Sequence, residues 1–163
     1  MRAFLINLLG NKPVTSTLLY SGHLHGWEYK DFHSRCDSKG RTVSLFQIEQ
    51  GDCIGGYTSQ CWESKGGFKA DSSAFLFNLT RSRHFPSKAT GNNICCRSDI
   101  GPYFGGYDSE LGAGYQPFND KGICCSWANC RGYDIPLVDG KNQLTNQASG
   151  SFTISELEVW LLE

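Results

Sequence analysis

The sequence predicts a mainly β protein, an antiparallel two-sheet sandwich flanked by two or three short helices. An aromatic content of 13% and 19 glycines among 163 residues favour strands and tight turns over long helices. Residues 42–79 contain three extended apolar runs separated by polar, glycine-containing breaks. From Leu157 onward the C-terminal segment alternates between apolar and polar residues, as a half-buried strand does.

The segment 42–79 is expected to organise the fold. Its apolar runs cover residues 43–48, 53–58 and 74–79, and Glu49–Asp52 between the first two suits a hairpin turn. The third run is the most apolar window of the chain, so it is predicted to be a central strand covered on both faces.

The predicted domain organisation is an N-terminal helix and connector at residues 1–16, followed by a single globular domain at residues 17–163. In the first segment Asn7 interrupts a short apolar stretch, which favours an amphipathic helix over a signal peptide. Apolar residues three and four apart predict a second helix within residues 27–36, after a glycine-bounded loop at residues 21–26.

Two further patterns concern strands. Leu157, Val159 and Leu161 are expected to share one face of a strand that must pair inside a sheet. The pattern apolar-Gly-Gly-Tyr-x-Ser occurs at residues 54–59 and again at residues 104–109. A glycine pair in a strand indicates a bulge or a place where a neighbouring group approaches closely.

Charge and hydropathy exclude two classes of partner. A formal net charge of −1 gives no electrostatic reason to bind nucleic acid. No window approaches the roughly 20 apolar residues that a membrane-spanning helix needs, so no membrane insertion is expected. A cytoplasmic location follows as the prediction.

The eight cysteines are expected to be mostly reduced and half-buried, because no export signal is visible and two of the pairs are vicinal. A redox role requires an exposed thiolate beside a cationic group. Cys95, with Arg97 nearby, and Cys130, next to Arg131, meet that requirement best and are the candidate redox thiols.

No catalytic constellation is found, and neither a cofactor nor a metal site is predicted. Cys61-Trp62 resembles the nucleophile segment of papain-like peptidases, but no histidine follows His84. The sequence clusters of His and Cys lack zinc-ligand spacing. A hydrolase or transferase rests only on unassigned carboxylates, which are Glu63, Glu110, Glu156 and Glu158.

An ordered set of segments resembles the TLDc domain and covers the chain from about Thr17 to the end: residues 18–21, 26–27, 43–46, 54–59, 62, 66–68, 74–79, 101–106 and 154–160. Residues 31–37 and 140–147 are similar to versions found in stand-alone TLDc proteins of ciliated protists. The resemblance implies a two-sheet sandwich flanked by helices, a role in resistance to oxidative stress and, for several members, binding to the V-ATPase. It brings no catalytic residues.

The leading functional hypothesis is therefore a non-catalytic protein-interaction module with loops rich in Gly, Tyr and Asn on a rigid sandwich. Two partner classes fit, the V-ATPase and a ciliary (axonemal) microtubule assembly. A thiol-based oxidant sensor is the second hypothesis, and a hydrolase or transferase is the third.

Overall fold

A computed structural model describes residues 2–11, 14–49, 51–88, 91–107, 109–114, 117–121 and 123–163. The helices of this part are α1 (Arg2–Leu8), α2 (Gly22–His25) and α3 (Tyr29–Cys36). The strands are β1 (Ser16–Ser21), β2 (Thr42–Ile48), β3 (Cys53–Thr58), β4 (Phe68–Lys69), β5 (Phe75–Asn78), β6 (Arg83–Pro86), β7 (Ile94–Cys95), β8 (Tyr103–Phe104), β9 (Leu111–Ala113), β10 (Cys124–Ser126), β11 (Leu137–Val138), β12 (Lys141–Asn142), β13 (Gly150–Phe152) and β14 (Ile154–Leu162). No helix among these residues is long and apolar enough to cross a membrane.

The first sheet has the strand order β1-β14-β2-β3-β5-β6, and all neighbours in it are antiparallel. The C-terminal strand β14 lies between β1 and β2, with Val159 opposite both Tyr20 and Ser44. Its prediction as a strand paired inside a sheet is confirmed. Strands β2 and β3 form the expected hairpin, whose turn contains Gly51 at a φ of 105°.

The second sheet has the order β13-β10-β9-β8-β7-β4, and β11 and β12 form a separate hairpin. Strand β4 lies between β3 and β5 in sequence but pairs with β7, so the chain visits the second sheet before it returns to the first. The two large antiparallel sheets and three short helices confirm the predicted sandwich.

The main core lies between the two sheets. Phe46 and Leu76 of the first sheet belong to the same buried cluster as Phe104 and Leu111 of the second. The first glycine pair has the close approach expected of it, since a Cβ on Gly56 would lie 2.6 Å from the Phe104 ring. The second glycine pair differs from the first in backbone conformation, because Gly105 has a φ of 100°, which favours glycine.

A smaller apolar cluster covers the other face of the first sheet. Phe75 and Phe77 of β5 lie in this cluster, and Leu5 and Leu8 of α1 pack against it. The N-terminal amphipathic helix is thus confirmed. The prediction that residues 74–79 are covered on both faces also holds, because Leu76 belongs to the main core. Strand β5 is also interior, because it pairs with β3 and β6, although it lies next to the edge of the sheet and not at its middle.

The region before α3 differs from the sequence prediction. Residues 22–25 form the short helix α2, not a loop. The Glu156 carboxylate accepts hydrogen bonds from the Gly22 amide at 3.0 Å and from Ser21 Oγ at 3.2 Å, which stabilises the start of α2. The helix predicted within residues 27–36 is confirmed as α3, with a capping box between Glu28 and Asp31.

Candidate functional site

The candidate site is a groove of about 660 Å³ on the outer face of the second sheet. Side chains on a strand alternate between faces, and Ile94, Phe104 and Leu111 point into the core. Their neighbours along the strands therefore point outward. The antiparallel register places these outward residues in one row across the sheet: Phe68, Cys95, Tyr103, Gly112, Cys125 and Ser151.

The floor of the groove depends on a glycine. A Cβ on Gly112 would lie 2.5 Å from the Tyr103 ring, so the Tyr103 side chain can lie flat over β9 only because no side chain is there. Burial raises the pKa of the Tyr103 hydroxyl. Tyr103 is therefore a neutral, half-buried hydrogen-bonding group at physiological pH.

Aromatic side chains form the walls. The Tyr107 and Phe68 rings pack edge to face with centroids 5.0 Å apart. Tyr107 is 89% exposed and Trp127 is 46% exposed, and both line the groove. The loop between β7 and β8 contributes Arg97 and Ile100. The groove thus offers apolar contact surface with a few polar groups, as binding clefts commonly do.

The two candidate redox thiols lie in different places. Cys95 is in the groove and is buried, which raises the pKa of its thiol; the backbone and charge of Arg97 oppose this only in part. Cys125, also in the groove, has a raised pKa for the same reason. Cys130 lies in the loop after β10, with its Sγ 3.5 Å from the Ala128 carbonyl oxygen. Buried thiols with raised pKa values are weak nucleophiles at neutral pH.

The four unassigned carboxylates do not converge on the groove. Glu63 pairs with Lys69, and this ion pair lowers the pKa of Glu63. Glu156 holds the start of α2 and also contacts His23 Nδ1 at 2.8 Å, while Glu158 accepts a 2.8 Å bond from the Trp160 indole. These two line a small cleft together with Cys53.

Glu110 differs from the other three carboxylates in its burial, since it is only 1% exposed. Burial raises its pKa, although its carboxylate accepts the backbone N–H of Gly132. Its second oxygen lies against Gly105 and has no hydrogen-bond partner among the described residues.

Metal-ligand geometry is absent from the described part of the chain, where no three His, Cys, Asp or Glu side chains are grouped for an ion. His23 and His33, close in sequence, have separate partners. His23 contacts Glu156, whereas His33 contacts Asp37.

Sequence reasoning named Cys95 as a candidate redox thiol but predicted neither the groove nor its aromatic walls. Phe68, Tyr103, Tyr107 and Trp127 lie in strands of two residues or in the loops between them, where no periodic pattern can be recognised. The abundance of Gly and Tyr in residues 101–107 was the only signal that pointed to this region.

Comparison with known proteins agrees with this architecture. A family model described as the TLDc domain matches residues 3–163. The chain belongs to the TLDc family. Two curated TLDc relatives are named MTOR-associated protein MEAK7, from Danio rerio, at 39% identity over 62 residues, and from Mus musculus, at 34% over 62 residues. Each match covers 38% of this chain and 14% of the relative, so most of each relative's length has no counterpart here.

Proposed function

We propose that this TLDc domain is a non-catalytic protein-interaction module and that a segment of its partner binds in the outer-face groove. The observation that carries the proposal is the exposure of Tyr107 and Trp127 in loops that border the outer face of the second sheet. Tyrosine and tryptophan are enriched among the residues that dominate binding energy at protein interfaces. Neither side chain has a hydrogen-bond partner among the described residues, so the Tyr107 hydroxyl and the Trp127 indole N–H are available to a ligand.

The composition of the groove favours a peptide segment over a charged small molecule. The Arg97 guanidinium is engaged by Asp99, with Nε to Oδ1 at 2.9 Å and Nη2 to Oδ2 at 2.5 Å. Apart from Ser151 and three glycines, the remaining lining is aromatic, aliphatic or thiol. Such a surface gains free energy chiefly by burying apolar area, while a few hydrogen bonds fix the orientation of the bound segment.

The TLDc resemblance supports the V-ATPase as the partner, and the names of the two relatives associate them with mTOR. We take the V-ATPase as the first candidate and place the protein in the cytoplasm. A role in resistance to oxidative stress, which the family also implies, would then depend on this assembly and not on chemistry within the domain.

The test measures binding of the purified domain to purified V-ATPase. We expect Trp127→Ala and Tyr107→Ala each to weaken binding by about 10-fold or more, as truncation of an interface anchor does. Leu24→Ala is the matched control, because Leu24 is also exposed but lies on α2, outside the groove. Wild-type affinity in both groove variants would exclude the groove as the binding site. Absence of any binding would exclude the V-ATPase as the partner.

A structural component of a ciliary microtubule assembly is the alternative within the same class of function. It is supported by the similarity of residues 31–37 and 140–147 to protist versions of the domain. Co-sedimentation with axonemal microtubules, compared between the wild-type domain and the Trp127→Ala variant, distinguishes it from the V-ATPase proposal.

A thiol-based oxidant sensor is the second candidate, and the position of Cys95 in the groove is the observation that favours it. Oxidation there would change the chemistry of the groove. Peroxide titration of the purified protein, followed by mass spectrometry, tests this candidate. Preferential modification of Cys95 or Cys130 would support it, and slow, uniform reaction of all eight thiols would exclude it.

A further inference from the structure

The buried histidine of α3 makes contacts that only one protonation state can satisfy. Both oxygens that face His33 Nε2 are backbone carbonyls, of Arg97 at 2.9 Å and of Ile100 at 3.0 Å. Its Nδ1 lies 2.8 Å from Oδ1 of Asp37. A carbonyl and an ionised carboxylate only accept hydrogen bonds, so both ring nitrogens must donate. The imidazolium form meets this demand.

The contacts around the pair favour this state. Asp37 Oδ2 accepts a 2.6 Å hydrogen bond from Ser64 Oγ, so each carboxylate oxygen of Asp37 faces a donor group. The charged groups nearby are Asp37 at the end of α3 and the Arg97–Asp99 pair on the facing segment. Hydrogen bonding to Arg97 and, to a smaller extent, the charge of His33 hold the pKa of Asp99 below its ordinary range.

We propose that His33 is a proton-dependent clamp that joins the end of α3 to segment 97–100 and so positions one wall of the outer-face groove. When the His33 imidazolium loses one proton, one of its ring nitrogens carries a lone pair that faces a hydrogen-bond acceptor. The charge-assisted bond to Asp37 is the stronger one, so the lone pair falls on Nε2 and repels the two carbonyl oxygens. Segment 97–100 is then released from α3.

The released segment is part of the groove. Arg97 and Ile100 line it, and the next residue, Gly101, donates a 3.0 Å hydrogen bond to the Ala113 carbonyl of β9. Among ordinary side chains, histidine is the one whose charge changes near neutral pH, so this is the range to test. This inference goes beyond the proposed function, because it concerns the free protein and requires no partner.

The test uses the full chain without a ligand. Imidazole nitrogen NMR measures the protonation of His33 from pH 5 to 8.5. Hydrogen exchange of the Gly101 amide, corrected for intrinsic base catalysis, reports whether segment 97–100 is released. We expect protons on both His33 nitrogens at the acidic end. As one is lost, protection of Gly101 should fall by roughly 10-fold or more, the effect of losing a hydrogen bond to a charged group.

The fall in Gly101 protection with rising pH is called the pH step. His33→Gln should abolish this step, because it removes the titrating group. His84→Gln is the control: His84 is exposed on β6 at the edge of the other sheet, and this variant should keep the step. Persistence of the step in His33→Gln would overturn the proposal. A wild-type spectrum in which His33 carries one proton at every pH would also overturn the proposal. This result does not depend on whether the His33→Gln variant folds.

Discussion

The indole Nε1 of Trp62 donates a 2.9 Å hydrogen bond to Oγ1 of Thr42, and both residues are fully buried. The Trp62 ring also packs edge to face against Phe32 of α3 and Phe104 of the second sheet, with centroids 5.6 and 5.5 Å away. This one side chain therefore links a helix to both layers of the sandwich.

Trp62→Phe should lower the free energy of unfolding by about 2–4 kcal/mol, since it opens a cavity and removes the buried donor to Thr42. Urea denaturation followed by circular dichroism measures the loss. Trp127→Phe is the control, and because Trp127 is half exposed its effect should stay within about 0.5 kcal/mol. Equal effects in the two variants would contradict this account of Trp62.

Gly56→Ala should destabilise the domain by about 1–3 kcal/mol or more, because the new methyl group would overlap the Phe104 ring between the sheets. The second copy of the glycine pattern supplies the control. A Cβ on Gly106 would meet nothing closer than 3.8 Å, so Gly106→Ala should be tolerated. Thermal unfolding of both variants makes the comparison, and a tolerated Gly56→Ala would contradict the close packing of the sheets.

Stability should depend on the titration of Glu110. Burial raises its pKa in the folded state, so the folded protein binds this proton more tightly than the unfolded chain. The contribution is fully present below the ordinary glutamate pKa of about 4.3 and is lost as the pH rises through the folded value. Urea denaturation at a series of pH values should show this fall in the wild type and a flatter profile in Glu110→Gln. Identical profiles would mean that Glu110 does not titrate abnormally.

Removal of residues 1–14 tests the predicted division between residues 1–16 and 17–163. The truncated protein should fold, because the paired strands of both sheets remain. It should be less stable and should bind an apolar dye, because α1 no longer covers Phe75, Phe77 and Leu79. An unchanged unfolding midpoint would show that α1 contributes nothing, whereas loss of all cooperative unfolding would show that the segment is part of the domain.

The sequence predicted the elements that are long enough to show a period. β14 and α1 have nine and seven residues, and their apolar spacing identified both their type and their shared apolar face, whereas β2, with seven residues, was predicted as a strand from its apolar run alone. The four residues of α2 are too few for a helical pattern, and its start depends on Glu156, 134 residues away from Gly22. Nothing local could have indicated that contact.

The groove could not be predicted for a related reason. It results from the register of the six strands of the second sheet, three of which, β4, β7 and β8, have only two residues each. Cys95 and Cys125 were visible as cysteines, but only the pairing through Tyr103 and Gly112 places them in one row. The role of His33 likewise depends on two carbonyl oxygens that lie more than 60 residues away in the chain.

The position of β14 has a consequence for how this domain folds. Strands β1 and β2 do not pair with each other, and the gap between them is filled by β14, from which they are separated by most of the domain's sequence. Contacts between residues that are so far apart in sequence slow folding. Because synthesis proceeds from the N-terminus, β1 and β2 emerge well before β14, so their facing edges stay unpaired until β14 has been made.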